Sequence, residues 1–94
     1  MSSLLNNYNR KKISFVRGKG CYLYSTDGKK YLDFVQGIAV NSFGHCHNYL
    51  VKTINKQSKK LWNVSNAFTI LEQERLAKRL TQNTFADSVA FQNS

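Results

Sequence analysis

Residues 44 to 47, "GHCH", set three side chains of metal-ligating type in a row, His45, Cys46 and His47, and a second thiol, Cys21, lies upstream. Zinc needs three or four converging ligands, usually drawn from two separated clusters. Here the second cluster is missing, because Cys21 stands alone and adjacent residues point in different directions. The tetrapeptide therefore reads as a loop-to-helix junction in which one or both histidines cap, and no metal is expected. A Cys–His nucleophilic pair is equally unsupported, since neighbours in sequence are not thereby placed sulfur to imidazole. No G-x-G-x-x-G or Walker loop occurs, and Gly18-Lys19-Gly20 reads as a hairpin turn. The residue types alone nominate no catalytic group.

The elements that would position these residues begin after a polar arm, residues 1–12. Ile13 to Arg17 alternates as a strand does, Cys21 to Tyr24 makes a second strand, and Tyr31 to Val35 a third. Thr26-Asp27-Gly28-Lys29 joins the last two, Asp-Gly being a strong hairpin signal because both residues tolerate positive φ. The aromatics along these strands fit packing of a meander better than stacking on bases. "GIAVNSFG", Gly37 to Gly44, breaks the alternation and reads as a loop fitted closely against something. Leu50, Ile54 and Leu61 then fall near helical spacing, with Lys52, Lys56, Lys59 and Lys60 on a solvated side. A further helix starts with capping-box spacing, Thr69 as cap and Glu72 reaching back. Its Glu72 and Glu74 suit the first turn, Lys78 and Arg79 suit the end, and Leu76 and Leu80 supply a buried side. A last strand is predicted over Ser88 to Gln92, with Asn93 and Ser94 opening a turn or cap.

Size and charge bound the function. Ninety-four residues make one domain at most, and 41% hydrophobic with 13% aromatic residues argue against wholesale disorder. The net charge is +9, yet ten of the fourteen basic residues are lysines dispersed along the chain. Only Arg10-Lys11-Lys12 forms a run, too short for a basic tail. A small basic nucleic-acid-binding module is the alternative reading; no nucleic-acid partner is expected. No signal peptide and no bilayer-length apolar stretch are visible, so a cytoplasmic protein with reduced thiols is expected, with no membrane partner.

Read together, "CYLYSTDGKKYLDFVQGIAVNSFGHCH" and "KLWNVSNAFTILEQERLAKRL" resemble the N-terminal signature of class III pyridoxal-phosphate aminotransferases. The likeness runs from about Ile13 to Ser94. The acetylornithine branch is the nearest, and the ornithine and 4-aminobutyrate branches share much of the pattern. Two departures stand out: Asn48 and Leu71 occupy helix-start positions where the family commonly has proline.

The resemblance implies an α+β fragment: a three-stranded antiparallel meander, two helices and the first strand of the large domain of a fold-type I aminotransferase. It divides the chain into the arm 1–12, a small-domain segment 13–70 and the start of the large cofactor-binding domain, 71–94. It implies amino transfer between N-acetylornithine and 2-oxoglutarate on pyridoxal phosphate in full-length, homodimeric relatives, with the chain inactive and cofactor-free alone. Val40 and Asn41 would line the substrate side of the cofactor, and Ser94 the edge of its phosphate cup. The stretch with Ser65, Asn66 and Phe68 would lie near the dimer interface. The family's cofactor-carrying lysine lies in a region this chain does not match.

Overall fold

A computed structural model describes residues 3–93. They form two compact units, Met1–Lys56 and Gln57–Ser94.

The first unit is built on the predicted meander: β1 (Phe15–Lys19), β2 (Tyr22–Ser25) and β3 (Lys30–Leu32), paired antiparallel in the order β1-β2-β3. The first hairpin turns at Gly20 and Cys21, because Lys19 pairs with Tyr22. Gly18, expected in the turn, is instead a strand residue opposite Leu23. Between Phe15, which faces Ser25, and Arg17, which faces Tyr24, the register slips at Val16. This β-bulge sets two residues of β1 against one of β2 and reverses the alternation upstream. Phe15 thereby joins Gly18, Leu23 and Tyr31 on one face, where its ring meets Tyr31 edge-on at 5.5 Å. The other face carries Arg17 over the Tyr24 ring at 3.7 Å and Lys30 over Tyr22 at 3.9 Å. Such stacking keeps the cations in water while covering apolar ring surface.

The second hairpin closes with Ser25 N–H donating to the Lys29 carbonyl at 3.0 Å and with Gly28 at φ 80°. Ser25, 4% exposed, is the one buried residue among those described, and its hydroxyl donates to the Asp27 carboxylate. That bond, and then Lys29 at 3.2 Å, hold the Asp27 carboxyl below the usual range.

Beyond β3 the chain makes one turn, α1 (Gln36–Ala39), and then α2 (Asn48–Gln57). The first intrahelical bond of α2 runs from Val51 N–H to the His47 carbonyl, 2.9 Å, so His47 opens the helix through its backbone. Leu61, expected on this helix, lies past its end. The Gln57 carbonyl accepts from Lys60 and Leu61 at 3.0 and 3.3 Å and closes a turn there.

In the second unit, α3 (Leu71–Asn83) starts from Ile70 with no side-chain cap, so the expected Thr69–Glu72 box does not form. Glu74 N–H donates to the Ile70 carbonyl at 3.1 Å, and Glu72 and Glu74 occupy the first turn as predicted. The helix runs past Lys78 and Arg79, leaving no basic residue in its last turn. Side-chain donors satisfy the final carbonyls instead, Asn83 on Arg79 at 2.7 Å and Thr84 on Leu80 at 2.8 Å. Leu76 and Leu80, expected to be buried, are exposed.

The strand expected over Ser88 to Gln92 is absent from the secondary structure. Strands are defined by ladder bonds to a neighbour, and this segment is assigned none. Among the described residues no hydrophobic side chain is buried, and Phe34, Ile38 and Trp62 are each at least 85% exposed. Hydrogen-bonded hairpins and turns define the first unit, and a helix with local turns the second, without a buried hydrophobic residue among those described.

Candidate functional site

The first unit's chemistry converges on Asp33, the residue that follows β3. Its N–H donates to the Cys21 carbonyl at 2.8 Å, one step beyond the Tyr22–Leu32 pair of the ladder. Its carboxylate then serves two structures at once. Oδ1 accepts from the N–H groups of Val35 and Gln36 at 3.0 and 2.9 Å, and Oδ2 lies 2.7 Å from His45 Nε2. The Asp33 side chain is 6% exposed and that of His45 19%. The Gln36 N–H first, and His45 next, favour the carboxylate and hold Asp33 below the ordinary aspartate range, against the opposing effect of burial.

His45 is placed by the backbone. Gly20 and His45 form an isolated antiparallel bridge, with Gly20 N–H to the His45 carbonyl at 3.0 Å and His45 N–H to the Gly20 carbonyl at 2.8 Å. Two glycines make that approach possible. A Cβ on Gly44 (φ 76°) would come within 2.9 Å of the Gly20 carbonyl oxygen, and one on Gly18 within 2.6 Å of His45 Cγ. The imidazole therefore lies over a strand position that lacks a side chain.

What Asp33 caps is unusual. Gln36, Gly37, Ile38 and Ala39 have φ of 53°, 61°, 65° and 59°, so α1 is a single left-handed turn. Its bonds run from Ala39 N–H to the Val35 carbonyl at 3.0 Å and from Val40 N–H to the Gln36 carbonyl at 2.9 Å. Each non-glycine residue in this conformation costs roughly 1–2 kcal/mol, and β-branched Ile38 is the least suited of the three. Strain of this kind persists only where surrounding contacts over-determine it. The closing bonds and the two that Asp33 accepts are those contacts.

A cavity of about 50 Å3 sits between the turn, the hairpin and the "GHCH" loop, bordered by Cys21, Asp33, Gln36, Asn41, Ser42 and His45. Of the residues nominated from the sequence, Asn41 is half-buried and lines it, while its carbonyl accepts from Gly44 N–H at 2.9 Å. Val40 is 73% exposed and does not border it. Ser94 lies outside the described residues. In the second unit, Ser65 accepts from Ala67 and Phe68 in a local turn, and Phe68 is exposed.

The "GHCH" side chains separate: His45 meets Asp33, His47 packs edge-on to Phe43 at 5.7 Å, and Cys46 (φ 55°) is exposed. No group of three His, Cys, Asp or Glu able to hold a metal exists among the described residues. Sequence reasoning missed Asp33, which it placed inside the expected strand Tyr31 to Val35, whereas β3 ends at Leu32 and the residue's partner lies twelve positions away.

Pyridoxal phosphate, the cofactor of the resembled family, does not fit what is described. Cofactor pockets measure roughly 300–1,000 Å3. The cavity is far smaller, no lysine or arginine borders it, and its carboxylate is already engaged. No helix among the described residues is long and apolar enough to cross a membrane.

Comparison with known proteins supplies the wider frame. The family model described as "Aminotransferase class-III" matches residues 5–94. The chain is 50% identical over 91 residues to acetylornithine aminotransferase of Brucella melitensis, a match covering 97% of this chain and 23% of that protein. It thus spans about a quarter of that relative's length. The solved N-acetylornithine aminotransferase of Stenotrophomonas maltophilia superposes with a TM-score of 0.72 at 32% identity, over 80% of this chain and 21% of the other. Plasmodium falciparum ornithine delta-aminotransferase gives a TM-score of 0.82 at 28% identity, over 89% and 22%.

Proposed function

This chain belongs to the class-III aminotransferase family, and on that premise we propose that it forms part of an acetylornithine-type aminotransferase. The reaction is transfer of an amino group from N-acetylornithine to 2-oxoglutarate. The family is pyridoxal-phosphate-dependent, the cofactor acting as an electron sink. The observation carrying this reading is the half-identity to acetylornithine aminotransferase along almost the whole chain.

In this reading the chain contributes wall rather than chemistry. Val40 and Asn41 border the amino donor, and Asn41 supplies a hydrogen-bonding amide at the lip of the cavity. Ser94 approaches the cofactor phosphate, residues 13–70 belong to a small domain and 71–94 to a large one. The stretch around Ser65 to Phe68 faces a second subunit of a homodimer. None of the described residues is assigned a proton transfer. Exposed, unbridged Cys21 and Cys46 suit a reducing cytoplasm.

The fold likeness to an ornithine aminotransferase favours one second reading, with ornithine as donor. Both are tested by grafting the chain in place of the matching segment of the Brucella melitensis enzyme and assaying each donor with 2-oxoglutarate. Turnover of N-acetylornithine is expected, with Asn41→Ala raising KM for the donor more than it lowers kcat. A graft that binds cofactor but prefers ornithine or 4-aminobutyrate overturns the donor assignment. An unchanged KM in Asn41→Ala removes Asn41 from the wall.

A further inference from the structure

We propose that Asp33 is the positioning residue of the left-handed turn: its carboxylate, anchored on His45, holds Gln36–Ala39 in the mirror-handed conformation that delivers Val40 and Asn41. The turn contains one glycine, so three of its four residues adopt the conformation against their own preference. Nothing local explains the choice. A right-handed turn of the same sequence would be intrinsically favoured and would satisfy the same number of internal hydrogen bonds.

What selects the left hand is where the chain enters and leaves. Entry is set by Asp33 Oδ1, which accepts from the two N–H groups that open the turn. Exit is set by the "GHCH" loop, which the Gly20–His45 bridge ties to the hairpin. The Asp33–His45 contact joins entry to exit. The Asp33 carboxylate thus ties the turn to the loop before α2, while its backbone N–H, on the Cys21 carbonyl, ties both to the hairpin loop. The titratable groups around it are His45, in contact, and Cys21, across the cavity. What Val40 and Asn41 face rests on the proposed function; the role of Asp33 in placing them does not.

The test is NMR of the isotopically labelled chain at low concentration. Positive φ brings a residue's own amide and α protons close and gives a strong intraresidue Overhauser effect, expected at Gln36, Ile38 and Ala39. The amide protons of Val35 and Gln36 should shift together with the Asp33 carboxyl carbon as the pH falls. In Asp33→Ala the left-handed signature should vanish while cross-strand contacts of the Leu23–Tyr31 and Tyr22–Leu32 pairs persist. Asp33→Asn should keep the signature, since its amide oxygen still accepts from Val35 and Gln36, and lose the titration. A wild-type chain without the signature, an Asp33→Ala chain that keeps it, or an Asp33→Asn chain that loses it each overturns the proposal. These readouts involve no amino transfer, so an inactive graft leaves them untouched.

Discussion

Asp33 Oδ2 and His45 Nε2 lie 2.7 Å apart, linking the end of the meander to the loop that precedes α2. The pair turns a local hairpin into a three-segment assembly, and both of its side chains are largely withdrawn from solvent. Several expected outcomes stem from it.

Acid should loosen the first unit through Asp33. Its folded carboxyl is held below the unfolded value, about 3.9 for aspartate, so it binds its proton less readily folded than unfolded. Its contribution to stability is complete above that value and is lost as the pH falls through the lower, folded value. Asp27 acts in the same direction, weakened by solvent and salt at its exposed hairpin. Urea unfolding between pH 6 and pH 2 should show stability falling with acid, and Asp33→Asn should flatten most of that slope. A slope unchanged in Asp33→Asn would assign the acid response elsewhere.

Gly18 and Gly20 should fail for different reasons. A Cβ on Gly18 collides with the His45 ring, so Gly18→Ala should displace the imidazole and cost about 1–3 kcal/mol, as overpacking does. Gly20 has open space around its Cβ position but φ 56°, so Gly20→Ala should cost roughly 1 kcal/mol of backbone strain and leave His45 in place. The His45 imidazole resonances separate the two: moved in Gly18→Ala, unmoved in Gly20→Ala.

Self-association should govern thermal behaviour. Exposed Phe34, Ile38, Trp62 and Phe85 with no buried hydrophobic residue among those described leave little internal gain from collapse. Burial of apolar surface yields about 25 cal/mol per Å2 wherever it is found, including between chains. Circular dichroism melts at several concentrations should therefore be broad and concentration-dependent. A sharp transition that ignores concentration would contradict this.

Zinc should change nothing. His45 is committed to Asp33 and His47 packs on Phe43, so the "GHCH" side chains have no common focus. Stoichiometric zinc should leave the melting temperature unmoved in the wild type and in Cys46→Ser alike. A large rise that Cys46→Ser abolishes would reverse this reading.

The meander was legible because its signals are local. Alternation and the Asp27-Gly28 turn depend on residues a few positions apart. α2 and α3 were legible in type but not in bounds: Ile70 displaced Thr69 as the cap, and Gln57 closed α2 before Leu61. The left-handed turn was not legible. Gly37 is its only permissive residue, and its hand comes from Asp33 and His45, which no window of sequence brings together. The strand expected at Ser88 to Gln92 does not form for a related reason, since pairing is a property of two segments and cannot be read from one of them.

The bulge at Val16 makes one position of β1 surplus to the ladder. Val16 is exposed and spends its place as a spacer. Replacing it with another strand-compatible residue leaves the downstream ladder and the Phe15–Tyr31 contact as they are. Deleting it makes Phe15 the direct neighbour of Arg17, so that ordinary alternation sets Phe15 opposite Ser25 and keeps it on the Tyr31 side of the sheet. Substitution and loss of this residue are therefore alike in one respect: the pairs Phe15–Ser25 and Arg17–Tyr24 stand on either side of it in both cases, and what a gap removes is the local kink and added twist of the bulge.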